Sequence, residues 1–319
     1  MIRRTSVLCP MMLVLMAPIR ACAQGGGEGF ASELRTLTTA RQAGSGGVAL
    51  EDPWRQGSYA DVTSVALSSG LRWFGLGIQG GGGSGFRVGS DGFVFSSPAM
   101  TRTLDQPDGS YGGEGGTFRP VEWGARVTGQ WTLRDSRSWR FAVLGRIIGM
   151  NQHLADVNRI GVGGAVGAQA QRVLDAGRML TLWGMAGPLG WGAGHLFAGD
   201  ITAGAALLAN RSQGFLGGAE GYALGAEGEW QTENVMDGGA GLSYWFGRPT
   251  GSGSTFFVRL GVRYQQGNVA AVQPRGGLGF LWRSAEQWGF QFDYAIAPLG
   301  ELGWLHYATL GIRFSPTRR

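Results

Sequence analysis

The amino-acid sequence predicts an all-β protein, a transmembrane antiparallel β-barrel of about fourteen strands (range twelve to sixteen) with a short N-terminal plug-like segment. Three observations predict it. The composition is rich in glycine and aromatics but poor in charge, long runs alternate with a period of two, and no stretch after the leader is apolar enough for long enough to cross a bilayer as a helix.

Composition narrows the class first. Of 319 residues, 60 are Gly and 15% are charged, against roughly 7% Gly and about 25% charged in ordinary globular chains. The 12 Trp, 16 Phe and 7 Tyr exclude disorder, which comes with few aromatics and high net charge. Pro numbers only 11 and the glycines keep no three-residue period, so a collagen-like chain is excluded as well. All 27 basic residues are Arg, and the formal charge of +5 falls to +2 once Arg3, Arg4 and Arg20 of the leader are set aside. No basic cluster remains of the kind that nucleic acid requires, so nucleic acid is not an expected partner.

The leader reads as a secretory signal peptide over residues 1–23. Met1-Ile2-Arg3-Arg4 is the basic start, Val7 to Ile19 the apolar stretch, and Ala21-Cys22-Ala23 the small-residue cleavage site, with cutting between Ala23 and Gln24. A rival reading makes Cys22 a lipidated residue, but Arg20 fits poorly beside such a cysteine. Both cysteines, Cys9 and Cys22, fall in the leader. The mature chain is therefore expected to hold no disulfide framework, no thiolate nucleophile and no cysteine metal site.

Residues 24–57 form a lead-in or plug segment, with a short helix expected near Ser32 to Ala43. Residues 58–314 form the barrel, and 315–319 a short tail. Alternation is clearest from Val121 to Arg134. Val121, Trp123, Ala125, Val127, Trp131 and Leu133 point one way, while Glu122, Arg126, Thr128, Gln130, Thr132 and Arg134 point the other. That run exceeds the usual soluble strand of about 5–6 residues and suits a tilted membrane strand of about 9–11. The pattern recurs in Phe256, Val258, Leu260, Val262 and Tyr264 against Thr255, Arg259 and Arg263. It returns in Trp288, Phe290, Phe292 and Tyr294 against Gln291 and Asp293, and in Trp139, Phe141, Val143 and Ile147 against Arg140 and Arg146.

Counting such runs places strands near 59–68, 71–79, 86–95, 118–134, 138–150, 160–174, 178–190, 199–210, 215–229, 236–246, 255–266, 274–283, 287–297 and 303–314. Ser96 to Thr117 is the longest stretch without a strand, a candidate extracellular loop or plug. An Arg at mid-depth in lipid costs about 2–4 kcal/mol, so the charged faces must turn to a lumen. Glu122, Arg126, Arg146, Glu227, Arg259, Arg263 and Asp293 are the lumen-facing candidates. They could select a polar solute, or form a salt-bridged network that fills the barrel. Trp123, Trp131, Trp139, Trp183, Trp230, Trp245, Trp288 and Trp304 are expected in the interfacial girdles.

Catalysis finds no support. His153, His195 and His306 lie on different hairpins, no serine sits in a recognisable motif, and neither Gly80–Gly83 nor Gly161–Gly164 is followed by Lys-Ser/Thr. The expectation is a non-enzyme without cofactor or metal. His306 reads as a hydrogen-bonding residue of the last hairpin.

The chain's end carries a more specific pattern. Asp293-Tyr294-Ala295, Leu299-Gly300-Glu301-Leu302-Gly303, His306 and Leu310-Gly311-Ile312-Arg313-Phe314 resemble the closing hairpin of the PorV/PorQ family, which belongs with barrels of the long-chain fatty-acid transporter (FadL) type. The stretch Arg41 to Pro53, with Gly46 and Gly47, is similar to the family's opening. Gly239 to Phe246 and Val258 to Tyr264 resemble its repeated strands. The family's N-P-A triplet is missing, the corresponding stretch reading Gly57-Ser58-Tyr59-Ala60-Asp61, and five residues follow Phe314 where assembly usually reads a terminal aromatic.

The resemblance implies a bacterial outer-membrane location with outer-membrane lipid as surroundings. It implies one of two functions: a binding or scaffold component for protein export or surface attachment, or a passive transporter of small hydrophobic compounds such as fatty acids. The partners would be exported proteins or secretion-system components in the first case and hydrophobic small molecules in the second. A structural barrel without cargo is the third reading.

Overall fold

The computed structural model describes residues 39–48, 50, 58–67, 72–81, 85–105, 111–136, 138–154, 157–192, 200–211, 218–231, 236–247, 252–265, 271–284, 288–298 and 303–314. The expected leader and its Ala23–Gln24 cleavage site, most of the lead-in and the last five residues lie outside these.

One short helix, α1 (Ala40–Gly44), precedes sixteen strands. They are β1 (Ser58–Leu67), β2 (Arg72–Gly81), β3 (Phe86–Ser96), β4 (Met100–Asp105), β5 (Tyr111–Phe118), β6 (Val121–Asp135), β7 (Trp139–Leu154), β8 (Val157–Val173), β9 (Arg178–Gly192), β10 (Asp200–Arg211), β11 (Glu220–Gln231), β12 (Met236–Phe246), β13 (Gly253–Gln265), β14 (Ala271–Arg283), β15 (Trp288–Pro298) and β16 (Trp304–Phe314). Fourteen of them close into an antiparallel barrel in which β1 pairs with β16 and β3 with β6. The stretch expected as a long loop instead folds as a separate hairpin, β4–β5, between β3 and β6. Its glycines (Gly112, Gly113, Gly115, Gly116) hid a strand that lacks the apolar alternation of its neighbours.

The register fixes the shape. Following directly paired residues around the wall from Trp139 leads through Arg172, Leu180, Leu207, Leu224, Leu242, Leu260, Gly276, Ile296, His306, Leu67, Arg72, Ser96 and Val121 to His153. The row returns to β7 fourteen residues beyond its start, so the shear equals the strand number. With a rise of about 3.3 Å per residue and about 4.8 Å between strands, this gives a tilt of about 35° and a backbone radius of about 13 Å. Eight strands make a barrel that wall side chains alone can fill. Fourteen leave a wider central space.

The alternation expected from the sequence is the alternation of burial. Along β13, Phe256, Val258, Leu260 and Tyr264 are exposed while Thr255, Phe257, Arg259 and Arg263 are buried. Along β15 the exposed Trp288, Phe290 and Phe292 alternate with buried Gln291 and Asp293. The exposed apolar residues encircle the wall, among them Phe74, Val127, Ile147, Val162, Ile201, Leu224, Leu278 and Leu310. A surface like this is stable only against lipid. Trp123, Trp131, Trp230, Trp288 and Trp304 belong to it, and Trp139 stacks on Phe141 at the start of β7. Two tryptophans do not. Trp245 is buried inside with Phe257 and Leu281, and Trp183 packs against the same cluster. The register already held the reason: Leu242, Tyr244 and Phe246 pair with Leu224, Tyr222 and Glu220 on the outer face, which turns Trp245 inward.

Candidate functional site

Residues 39–48 and 50 occupy the lumen as a cord laid along the inner wall. Thr39 caps α1 through its side-chain oxygen, which accepts from the Gln42 amide. The helix ends after one turn at Gly46 and Gly47, with φ of 71° and 89°, a backbone region open to glycine and strained for other residues. Strand after strand then receives the cord. The Ala40 amide donates to Thr309 Oγ1 of β16 at 2.9 Å, and Arg41 Nη1 donates to Gln291 Oε1 of β15 at 3.0 Å. Gly44 lies against Gly277 of β14, and Ser45 and Gly46 lie against Gly261 of β13 and Gly241 of β12. Val48 meets Gly239, while Leu50 meets Gly225 of β11 and packs with Ala206 of β10. The cord thus crosses seven consecutive strands near mid-height.

The wall makes room by giving up side chains. A Cβ on Gly261 would stand 2.1 Å from the Gly46 nitrogen, one on Gly239 2.1 Å from the Gly46 oxygen, and one on Gly241 2.2 Å from the Ser45 oxygen. All three would strike backbone, which cannot swing aside. The inward spacing of these glycines on β11 to β14 is the imprint of a chain lying on them.

Apolar packing adds to these contacts. Ala40 and Ala43 of α1 share one buried apolar cluster with Phe93 and Phe95 of β3, Ile148 and Met150 of β7, and Leu305 and Tyr307 of β16, bridging opposite walls. Val48 and Leu50 share a second with Ala223, Trp245, Phe257 and Leu281. Burying a Val or Leu side chain stabilises by about 1.5–3 kcal/mol, so these two residues are the cord's main apolar anchors.

Polar groups tie the cord to the wall. Asp293 and Arg259 are each about 1% exposed and pair at 2.8 Å. Arg41 brings a second guanidinium within 3.7 Å of the same carboxylate. Gln291 donates to Asp293 at 2.8 Å and accepts from Arg313 Nε at 2.5 Å. Arg259 also lies over the Phe257 ring at 4.8 Å. A buried ion pair brings little net stability, because desolvation offsets attraction, but losing one partner strands a charge at about 3–5 kcal/mol.

The seven lumen-facing candidates all stand on the inner face but do not converge. Arg259 and Asp293 belong to the network around the cord. Arg263 lies apart, 3.4 Å from Asp237 and 3.9 Å from Glu229. Across the lumen, Arg126 pairs with Asp91 at 2.8 Å and Glu122 accepts from Gln152 at 2.5 Å. Glu227 accepts from the Trp183 indole at 2.9 Å, and Arg146 is half-buried on β7.

Of the motif residues, Asp293, Ala295 and Arg313 point in, while Tyr294 and Phe314 follow the outward register. His306 hydrogen-bonds Tyr294 at 2.7 Å, as expected of a structural residue. Gly303 has φ of 83° in the last turn; Gly300 and His195 lie outside the described residues. Arg41 and Gln291 were not singled out as site residues. Arg41 became legible only when the cord was seen to place it beside Asp293. Among the described residues no group of three His, Cys, Asp or Glu could hold a metal.

No family model matches this chain, and no curated protein matches it. Solved structures similar to it are barrels. CdiB from Acinetobacter baumannii aligns with a TM-score of 0.48 and 11% identity, over 82% of this chain and 60% of that one. A bacterial polysaccharide outer membrane secretin gives a TM-score of 0.45 and 8% identity, over 82% of this chain and 99% of that one. The KdgM porin gives 0.38 and 7%, over 81% and 99%. This chain therefore spans about 60% of the length of CdiB. At these values the likeness decides neither family nor cargo.

Proposed function

We propose that this protein is an outer-membrane barrel whose lumen is sealed by its own chain, and that it acts through its exposed rim as a binding and scaffold component for exported or surface-attached proteins, in the manner of the PorV/PorQ barrels its closing hairpin resembles. The observation that carries this reading is the cord: residues 39–48 and 50 meet seven strands and join wall to wall through two apolar clusters and the Asp293 network. A solute path through this lumen would have to displace all three.

The ends are assigned by the connections. β1 begins and β16 ends at one rim, and the longest connection, which contains the hairpin β4–β5, joins β3 to β6 at the other. Barrels of this kind keep short turns periplasmic and long loops outside, so β4–β5 is the extracellular feature. No barrel strand packs closely against it among the described residues, and its free edges offer backbone groups to an extended partner segment.

Two measurements test the proposal together. Purified protein in planar bilayers should give no steady conductance, and exported proteins recovered with it from detergent-solubilised envelope should be lost when residues 98–119 are replaced by a short turn. Steady single-channel conductance in the wild type, or no partner in the pull-down, would overturn it. The apolar lumen clusters favour hydrophobic-compound passage as the second reading. Labelled fatty-acid uptake that falls in a deletion strain would move the assignment there.

A further inference from the structure

Among the described residues, three arginines of the outward register stand together at the rim where β1 begins, in the sector from β7 to β12. Arg172, Arg178 and Arg211 stand on three consecutive strands in the outward register: Arg172 opposite Trp139 and Leu180, Arg178 opposite Ala209, Arg211 opposite Glu220. Trp139 and Phe141 stack with centroids 5.4 Å apart and planes 8° apart. The Arg172 guanidinium lies over that indole at 5.3 Å.

Two described acids stand nearby. Asp175 holds Arg178 at 2.5 Å, and Glu220 accepts from the Tyr244 hydroxyl. Arg172 and Arg211 have no ion-pair partner among the described residues. At the opposite rim the same strands turn out Ile160, Ile201 and Trp230. The charge is therefore confined to one end of the sector.

A guanidinium at a membrane boundary is best satisfied by a phosphate, whose oxygens match its two parallel N–H donors. An indole beside it suits the headgroup level, where aromatic rings place an apolar body and a polar edge. We propose that this rim is a binding site for the phosphate of an anionic glycerophospholipid in the facing leaflet. Arg172 holds phosphate oxygens beside the Trp139–Phe141 platform, which carries the glycerol and the first acyl carbons. Arg211, two strands away, adds to the positive field that draws the anionic headgroup. The site rests on the outer-membrane reading above, with this rim in the periplasmic leaflet of phospholipids.

The test uses the full mature chain in neutral detergent, titrated with phosphatidylglycerol or with phosphatidylcholine and followed by native mass spectrometry for retained lipid. Wild type should retain phosphatidylglycerol in preference to phosphatidylcholine. The double variant Arg172→Gln/Arg211→Gln should bind it about 25-fold more weakly, on about five-fold per interfacial arginine. Arg72→Gln, an outward arginine at the opposite rim, should leave the preference unchanged. Equal retention of both lipids by wild type, or a preference that survives the double variant, would overturn the site. Heat-modifiable gel migration separates the two levels of failure, because a wild type without it strikes the barrel reading itself.

Discussion

Replacing Gly261 by alanine tests whether the cord is seated as described. The new Cβ would lie 2.1 Å from the Gly46 nitrogen, 2.5 Å from the Ser45 carbonyl carbon and 2.7 Å from Gly46 Cα. Restoring an ordinary 3.4 Å separation requires moving the cord by about 1.3 Å. That shift pushes Ser45 and Gly46 away from Gly241 and strains the neighbouring seat of Val48. Overpacking of this kind costs about 1–3 kcal/mol, comparable with what Val48 or Leu50 contributes by burial at about 1.5–3 kcal/mol. The cord should therefore leave its seat for a measurable fraction of the time.

Ser45, 2% exposed, is the reporter. Cys9 and Cys22 are the two native cysteines, so in a chain beginning at Gln24 Ser45→Cys supplies the single thiol. It should resist a maleimide in the otherwise wild-type barrel and react in the Gly261→Ala background, with a lowered unfolding midpoint. Gly145→Ala is the control, since a Cβ there meets nothing within 4 Å. A protected thiol and an unchanged midpoint in Gly261→Ala would refute the cord's placement.

Other expectations follow from the same geometry. Asp293→Ala leaves the buried Arg259 without its 2.8 Å partner and should lower stability by about 3–5 kcal/mol in denaturant titration, whereas Arg259→Met/Asp293→Leu should recover most of that loss. Trp245→Ala should cost about 3–5 kcal/mol because the ring is buried in the lumen. In bromolipid vesicles a protein with Trp245 alone should escape quenching, while one with the lipid-facing Trp123 alone should be quenched. Replacing residues 98–119 by a short turn should leave heat-modifiable migration intact, since β3 and β6 already pair directly.

The barrel was legible because a lipid-spanning strand has few options. Its residues alternate between lipid and lumen, and an error in that alternation places charge in hydrocarbon. Val121 to Arg134 and Phe256 to Tyr264 therefore announced both strand and face, and the fourteen predicted runs overlap the fourteen strands of the barrel. The same alternation put Glu122, Arg126, Arg146, Glu227, Arg259, Arg263 and Asp293 on the inner side. It failed for β4 and β5, which leave the barrel and need no apolar face, and for Trp245, where ring chemistry was weighed above register.

The sequence by itself determined the wall: strand number, faces and the inward side of the charges all follow from local periodicity. Only the tertiary structure decided what fills it. Which arginine meets Asp293, and why Gly225, Gly239, Gly241, Gly261 and Gly277 stand where they do, depends on a segment some two hundred residues away in the chain lying across all of them. Periodicity reports which side a residue faces, and it carries no record of what comes to lie there.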